Sequence, residues 1–108
     1  MVFIKRISHY VRMTHFWYVG VGIVMPLRAY IFLKVRPAPV DDLRRELGKF
    51  PEIIEGHVVT GEVDVVLSVE TADTNELFQL VKKLRTLPFV LDTKTSIAIS
   101  VIKEKTSK

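Results

Sequence analysis

The chain has 108 residues, 48% of them apolar and 26% charged, with five prolines, five glycines and no cysteine. This composition describes one small globular domain, and it excludes a disulfide framework, thiolate metal sites and cysteine nucleophiles while fitting a cytoplasmic protein. The net charge of +4 divides unevenly: residues 1–27 carry Lys5, Arg6 and Arg12 with no acid, whereas residues 28–108 hold 13 bases against 12 acids, so the main part of the chain lacks the basic excess that neutralises phosphates.

Residues 1–26 read MVFIKRISHYVRMTHFWYVGVGIVMP, a basic and aromatic start followed by ten charge-free residues from Phe16 to Met25. A bilayer span needs about 20 apolar residues, so no membrane segment is expected. A secretory signal would end in small residues, and Val24-Met25-Pro26-Leu27 is bulky throughout. Gly20, Gly22 and the valines around them disfavour a helix. The expectation is an N-terminal extension over residues 1–26, with Met25 the real or a second start, and a domain over residues 27–105.

Arg28 to Val35 reads as a strand, with Ala29, Ile31, Leu33 and Val35 on one face and Tyr30, Phe32 and Lys34 on the other. Pro37 and Pro39 end it. Val40, Leu43, Leu47 and Phe50 then recur at helical spacing, behind Asp41 and Asp42 at the positive end of the helix dipole. A second strand is expected from Ile53 to Val59 and a third from Val63 to Glu70, where Val63, Val65, Leu67 and Val69 alternate with more polar residues. Asp73 and Glu76 have the spacing of a capping box, ahead of the stripe Leu77, Leu80, Val81 and Leu84. Pro88 closes that helix. The polar quartet Asp92-Thr93-Lys94-Thr95 is expected as a loop, and Ile97 to Ile102 as the last strand.

The order βαββαβ predicts an α+β, ferredoxin-like fold: a four-stranded antiparallel sheet with two helices on one face. The other face is left open, and it would carry Tyr30, Phe32, Val66, Ala98 and Ile102. Burying one large apolar side chain stabilises by about 1.5–3 kcal/mol, so leaving several wet would consume much of a small domain's margin of about 5–15 kcal/mol. A dimer through the open sheet faces, a dimeric α+β barrel, is the expected solution.

The stretch from His57 to Glu70 (HVVTGEVDVVLSVE) holds the one compact polar cluster between two apolar runs: Gly61, Glu62 and Asp64. Glycine permits close backbone approach and a carboxylate accepts from an ammonium group. The same residues also make an ordinary hairpin turn. His57 has apolar neighbours and reads as a strand residue, and His9 and His15 lack zinc-ligand spacing, so no metal or cofactor is expected. Tyr30 and Phe32 lack the flanking glycines and bases of an RNA-stacking signature.

Several segments in register resemble the effector-binding domain of the Lrp/AsnC family of transcription regulators, in a stand-alone form without a DNA-binding domain. Met25-Pro26-Leu27-Arg28-Ala29-Tyr30-Ile31 is similar to an opening M-x-x-A-Y-I, with one extra residue. Pro51-Glu52-Ile53 is similar to P-E-V, Thr60-Gly61-Glu62-Val63-Asp64 matches T-G-x-x-D, and Thr93-Lys94-Thr95 matches T-x-T. The resemblance spans Arg28 to about Glu104. It implies sheet-to-sheet dimers, further assembly into rings, and an amino acid bound between dimers, with contacts on Gly61, Glu62, Asp64, Thr93 and Thr95.

The resulting expectation is a regulatory domain that binds an amino acid or similar metabolite at an oligomer interface. It would modulate its own assembly or that of a full-length Lrp/AsnC regulator, without binding DNA specifically itself. Two alternatives stand beside it: a small dimeric α+β barrel enzyme, although no side chain is placed as a general base or nucleophile, and a pure assembly module that binds no ligand.

Overall fold

A computed structural model describes residues 26–103 and, ahead of them, the backbone of three short strands, β1 (Tyr10–Met13), β2 (Phe16–Val19) and β3 (Gly22–Val24). These three pair as an antiparallel meander in that order. The charge-free run therefore enters strands, as expected where β-branched residues and glycine disfavour helix.

The following elements are β4 (Leu27–Val35), α1 (Val40–Leu47), β5 (Ile53–Val58), β6 (Val65–Thr71), α2 (Thr74–Arg85) and β7 (Val90–Ile97). The four strands form one sheet in the order β5-β6-β4-β7, every neighbouring pair antiparallel. This is the ferredoxin-like βαββαβ arrangement. The alternation read in the sequence decides which face is covered: Ala29, Ile31 and Leu33 from β4 and Val65, Leu67 and Val69 from β6 are buried with Leu43 and Leu47 of α1 and Leu77, Leu80 and Leu84 of α2. Both helices thus lie on one face of the sheet.

The helix ends follow local chemistry. At α2, Asp73 Oδ1 accepts from the Glu76 N–H at 2.9 Å, and Glu76 Oε1 reaches back to the Ala72 N–H at 2.7 Å. The box spacing is therefore satisfied, with the return bond falling one residue before the cap. At α1, Pro39 is the N-cap and offers no side-chain cap. Asp41 and Asp42 occupy the first turn and bind Arg44 at 2.6 Å and Arg45 at 2.8 Å, one turn on.

Two strand limits differ from expectation. Residues 59–64 form a loop: the Val59 N–H donates to the Asp64 carbonyl at 2.9 Å and the Asp64 N–H donates to the Leu33 carbonyl at 2.9 Å, so pairing in β6 starts at Val65 instead of Val63. The last strand is displaced further. The quartet Asp92-Thr93-Lys94-Thr95 is not a loop but the middle of β7, paired in that order with Lys34, Leu33, Phe32 and Ile31 of β4. Ala98 and Ile102 fall outside the strand. The reason is the length of β4. In this register Ile97 faces Ala29, and the Ala98 N–H donates to the Arg28 carbonyl at 2.9 Å. The next rung would pair Ser100 with Pro26, which has no N–H to give.

Candidate functional site

The open face of the sheet has an apolar centre with a polar margin. His57, Val66, Phe32 and Lys94 form one row across it, and Glu55, Ser68, Tyr30 and Ser96 the next. Tyr30 is 37% exposed, and Phe32 and Val66 are half-buried. These three expected interface residues share the face. Ala98 and Ile102 do not join them, because they lie beyond the paired part of β7; Ile102 is fully exposed. Below Tyr30, Arg28 binds the buried Glu70 carboxylate through Nη2 at 2.5 Å and Nε at 3.2 Å. The hydrogen bond to Glu70 raises the Arg28 pKa above its ordinary value against the opposing effect of burial. A raised folded-state pKa means stability that is complete below the unfolded value and lost only above the folded one, so the guanidinium side of this pair stays charged through the whole neutral range.

The loop of residues 59–64 is tied to the end of β4 by Asp64. Its Oδ2 accepts from the Val35 N–H at 2.9 Å, in addition to the two backbone bonds already described. Lys34 Nζ donates to the Glu62 carbonyl at 3.0 Å. Gly61 has a φ of +121°, a value side-chain-bearing residues rarely adopt, while a Cβ there would meet nothing within 4 Å. Glycine is therefore required by the backbone at this position and not by crowding. Asp64 lines a small cavity of about 220 Å³ with Val35, Arg36, Pro37, Ala38 and Val58. That cavity shares Val40, Leu43, Val58 and Val65 with a larger groove of about 470 Å³ between α1 and β5.

Thr93 and Thr95 occupy a different place. They pair with Leu33 and Ile31 across β4 from the loop, and they share the helix-side face of the sheet with those residues. Gly61, Glu62 and Asp64 are brought together, whereas the two threonines are about two strand spacings away, roughly 10 Å. Sequence reasoning assigned no role to Lys34, Arg36 or the cavity behind Asp64. The signal available was the basic residues Lys34 and Arg36 at the end of β4; the approach of Lys34 to the loop depends on the β4–β6 register and was not legible. Among the described residues no group of three or more His, Asp or Glu side chains could hold a metal ion, and no helix is long and apolar enough to cross a membrane.

Comparison with known proteins gives this geometry its context. The profile of the Lrp/AsnC ligand binding domain matches residues 28–108. The HTH-type transcriptional regulator FL11 of Pyrococcus horikoshii is 32% identical over 78 residues, 72% of this chain and 52% of the relative, so the chain spans about half that protein's length. Among solved structures, the transcriptional regulator NMB0573 of Neisseria meningitidis in complex with L-Met superposes with a TM-score of 0.69 at 29% identity, covering 76% of this chain and 55% of that one. FFRP-DM1 superposes with a TM-score of 0.63 at 32% identity, covering 68% of this chain and 99% of that one. FL11 and NMB0573 are transcription regulators and not enzymes. The chain belongs to the Lrp/AsnC family, through the ligand binding domain of its transcription regulators.

Proposed function

We propose that residues 27–105 are a regulatory module that binds an amino acid or similar small metabolite between protomers, and so changes its own assembly or that of a full-length regulator of the family. The observation that carries this is the clasped 59–64 loop, in which Asp64 is held by three backbone contacts at the edge of a cavity. One carboxylate oxygen is committed to the Val35 N–H, and the other, Oδ1, is the acceptor assigned to the ligand ammonium. The ligand carboxylate is met by the backbone amides at Gly61 and Glu62 and by the Lys34 ammonium beside them. Thr93 and Thr95 lie too far across β4 to serve the same molecule from the same chain, which favours a ligand contacted by two protomers. The complex of NMB0573 with L-Met supports an amino acid as the ligand class.

The sheet-to-sheet dimer is the other half of the proposal. Phe32, Val66 and Tyr30, rimmed by His57, Glu55, Lys94 and the Arg28–Glu70 pair, have the anatomy of an interface with an apolar centre and polar margin. A ligand that completes its site only between dimers favours the ring over the dimer by its differential affinity. Among the described residues the helices are separated by β5 and β6, so no helix-turn-helix is formed there and promoter contact falls to another segment or a partner regulator. A module that acts with such regulators would work in the cytoplasm.

The test is thermal melting of the full chain with each amino acid, L-methionine first, followed by light scattering. A ligand at 100 times its dissociation constant adds about 2.7 kcal/mol, which for a domain of this size raises the melting temperature by roughly 10 °C or more. The expected result is a selective shift accompanied by a change in oligomer size. A large stable oligomer with no shift for any amino acid would replace this proposal with the pure assembly module.

A further inference from the structure

Two features of this chain lack partners among the described residues, and they are complementary. Beyond Ile97 the sequence keeps the alternation of a strand, Ile99 and Val101 on one side and Ala98, Ser100 and Ile102 on the other. The segment has nevertheless run past the end of β4, because Pro26 stands at the next rung without an N–H. Ile99, Val101 and Ile102 are 94%, 70% and 100% exposed. Three large apolar side chains within four residues are thus presented to solvent on a backbone of strand character.

The second feature is at the opposite edge of the sheet. β5 is the outermost strand, and every residue from Ile54 to Val58 is exposed. The groove of about 470 Å³ between β5 and α1 is walled by Val40, Leu43, Leu47, Ile54 and Val58. Val40 and Val58 are about half exposed there. Gly56 helps to keep the groove open, since a Cβ at that position would come within 2.9 Å of Leu67 Cδ2. The strand order β5-β6-β4-β7 separates groove and overhang by three inter-strand steps, about 14 Å, and the overhang leaves the sheet on the far side. One chain does not fill its own groove in this way. A second copy supplies both missing halves.

We infer that residues 98–102 of one protomer add as an extra strand to the outer edge of β5 in a second protomer, with Ile99 and Val101 entering the α1–β5 groove. The exchange rests on the sheet-to-sheet dimer proposed above. Parity supports this choice of side chains. From Thr93 onward in β7 the odd-numbered residues share the helix-side face, with Ile97 opposite Ala29 and Thr95 opposite Ile31, while Lys94 and Ser96 share the open face with Phe32 and Tyr30. When two open faces meet, a strand crossing from one sheet to the other keeps its even residues inward and its odd residues outward, on the α1 side of the second sheet. The outward N–H and C=O groups of β5 provide the ladder, and the groove provides the pockets for alternate side chains. Two-fold symmetry makes the exchange reciprocal.

Because the chain has no cysteine, introduced thiols report cleanly. Full chains carrying Val58→Cys and Val101→Cys are mixed, treated with a bismaleimide and resolved by mass; the expected product joins one variant to the other. In parallel, the dimer dissociation constant of Ile99→Asp/Val101→Asp is measured by light scattering, with circular dichroism verifying the fold. The two positions are exposed in the protomer, and because the reciprocal exchange loses two apolar anchors from each protomer, four in the dimer, the expected effect is a dissociation constant at least about 100-fold higher. A dimer as tight as wild type, or cross-links formed only between two copies of Val101→Cys, overturns the exchange and leaves the sheet-to-sheet dimer standing. A monomeric wild-type chain overturns both.

Discussion

Asp64 carries two separable duties. As a clasp it accepts from the Val35 N–H through Oδ2, a bond an asparagine side-chain carbonyl reproduces. As the proposed ammonium acceptor it needs a negative charge, which asparagine lacks. Asp64→Asn is therefore expected to melt close to wild type while binding its amino acid at least about tenfold more weakly, the scale of one charge-assisted hydrogen bond, read by calorimetric titration. Asp64→Ala removes the clasp as well, and it should destabilise the chain by about 1–3 kcal/mol in urea denaturation, since the Val35 N–H loses its partner. Gly61 acts only through its backbone: at φ +121° with open space around the missing Cβ, Gly61→Ala is expected to cost about 1 kcal/mol or more in the same denaturation measurement. That both residues belong to a polar turn between two strands was legible from their types and spacing. That Asp64 also holds the loop to β4 was not, because Val35 is 29 residues away in sequence.

At the scale of elements, the signals that depend on neighbours in sequence were reliable. Asp73 and Glu76 announced the start of α2, and the bonds at 2.9 and 2.7 Å form there. Asp73→Ala is expected to lower stability by about 1 kcal/mol, or roughly 4–8 °C in melting temperature, measured by calorimetry. The strand ends were less legible. Asp92, Thr93, Lys94 and Thr95 look like a loop in isolation, but pairing with the central strand β4 recruits them into β7, where threonine is well suited. At the far end, Ile97 to Ile102 has the composition of a strand and lacks a rung to continue on. A strand's extent is set by its partner's extent, and here that partner begins at a proline.

At the scale of the whole molecule, one covered and one open sheet face leave the protomer incomplete. Phe32 and Val66 are directly opposed at the centre of the open face. Phe32→Asp places a charge there beside Lys94 and away from the helix-side core. The expected result is a chain that keeps its circular dichroism spectrum but scatters light as a monomer, because a carboxylate at the centre of an apolar contact must be desolvated, a cost that a neighbouring Lys94 repays only in part. A dimer unchanged by this substitution would place the proposed interface elsewhere. Under the proposed function, assembly is the variable on which an effector would act: a small molecule contacted by two protomers shifts the equilibrium only by the difference in its affinity for the two states.

The sequence by itself determined the alternation of Ala29, Ile31 and Leu33 with Tyr30 and Phe32, the helical stripes, the capping box and the T-G-x-x-D turn. These rest on periodicity and side-chain chemistry acting over a few residues. Only the tertiary structure decided that the loop is anchored to β4, that Thr93 and Thr95 stand across β4 from it, and that the chain beyond Ile97 overhangs the sheet. Each of these depends on strand order and register between segments far apart in the chain, and register is fixed by the burial of a whole face at once.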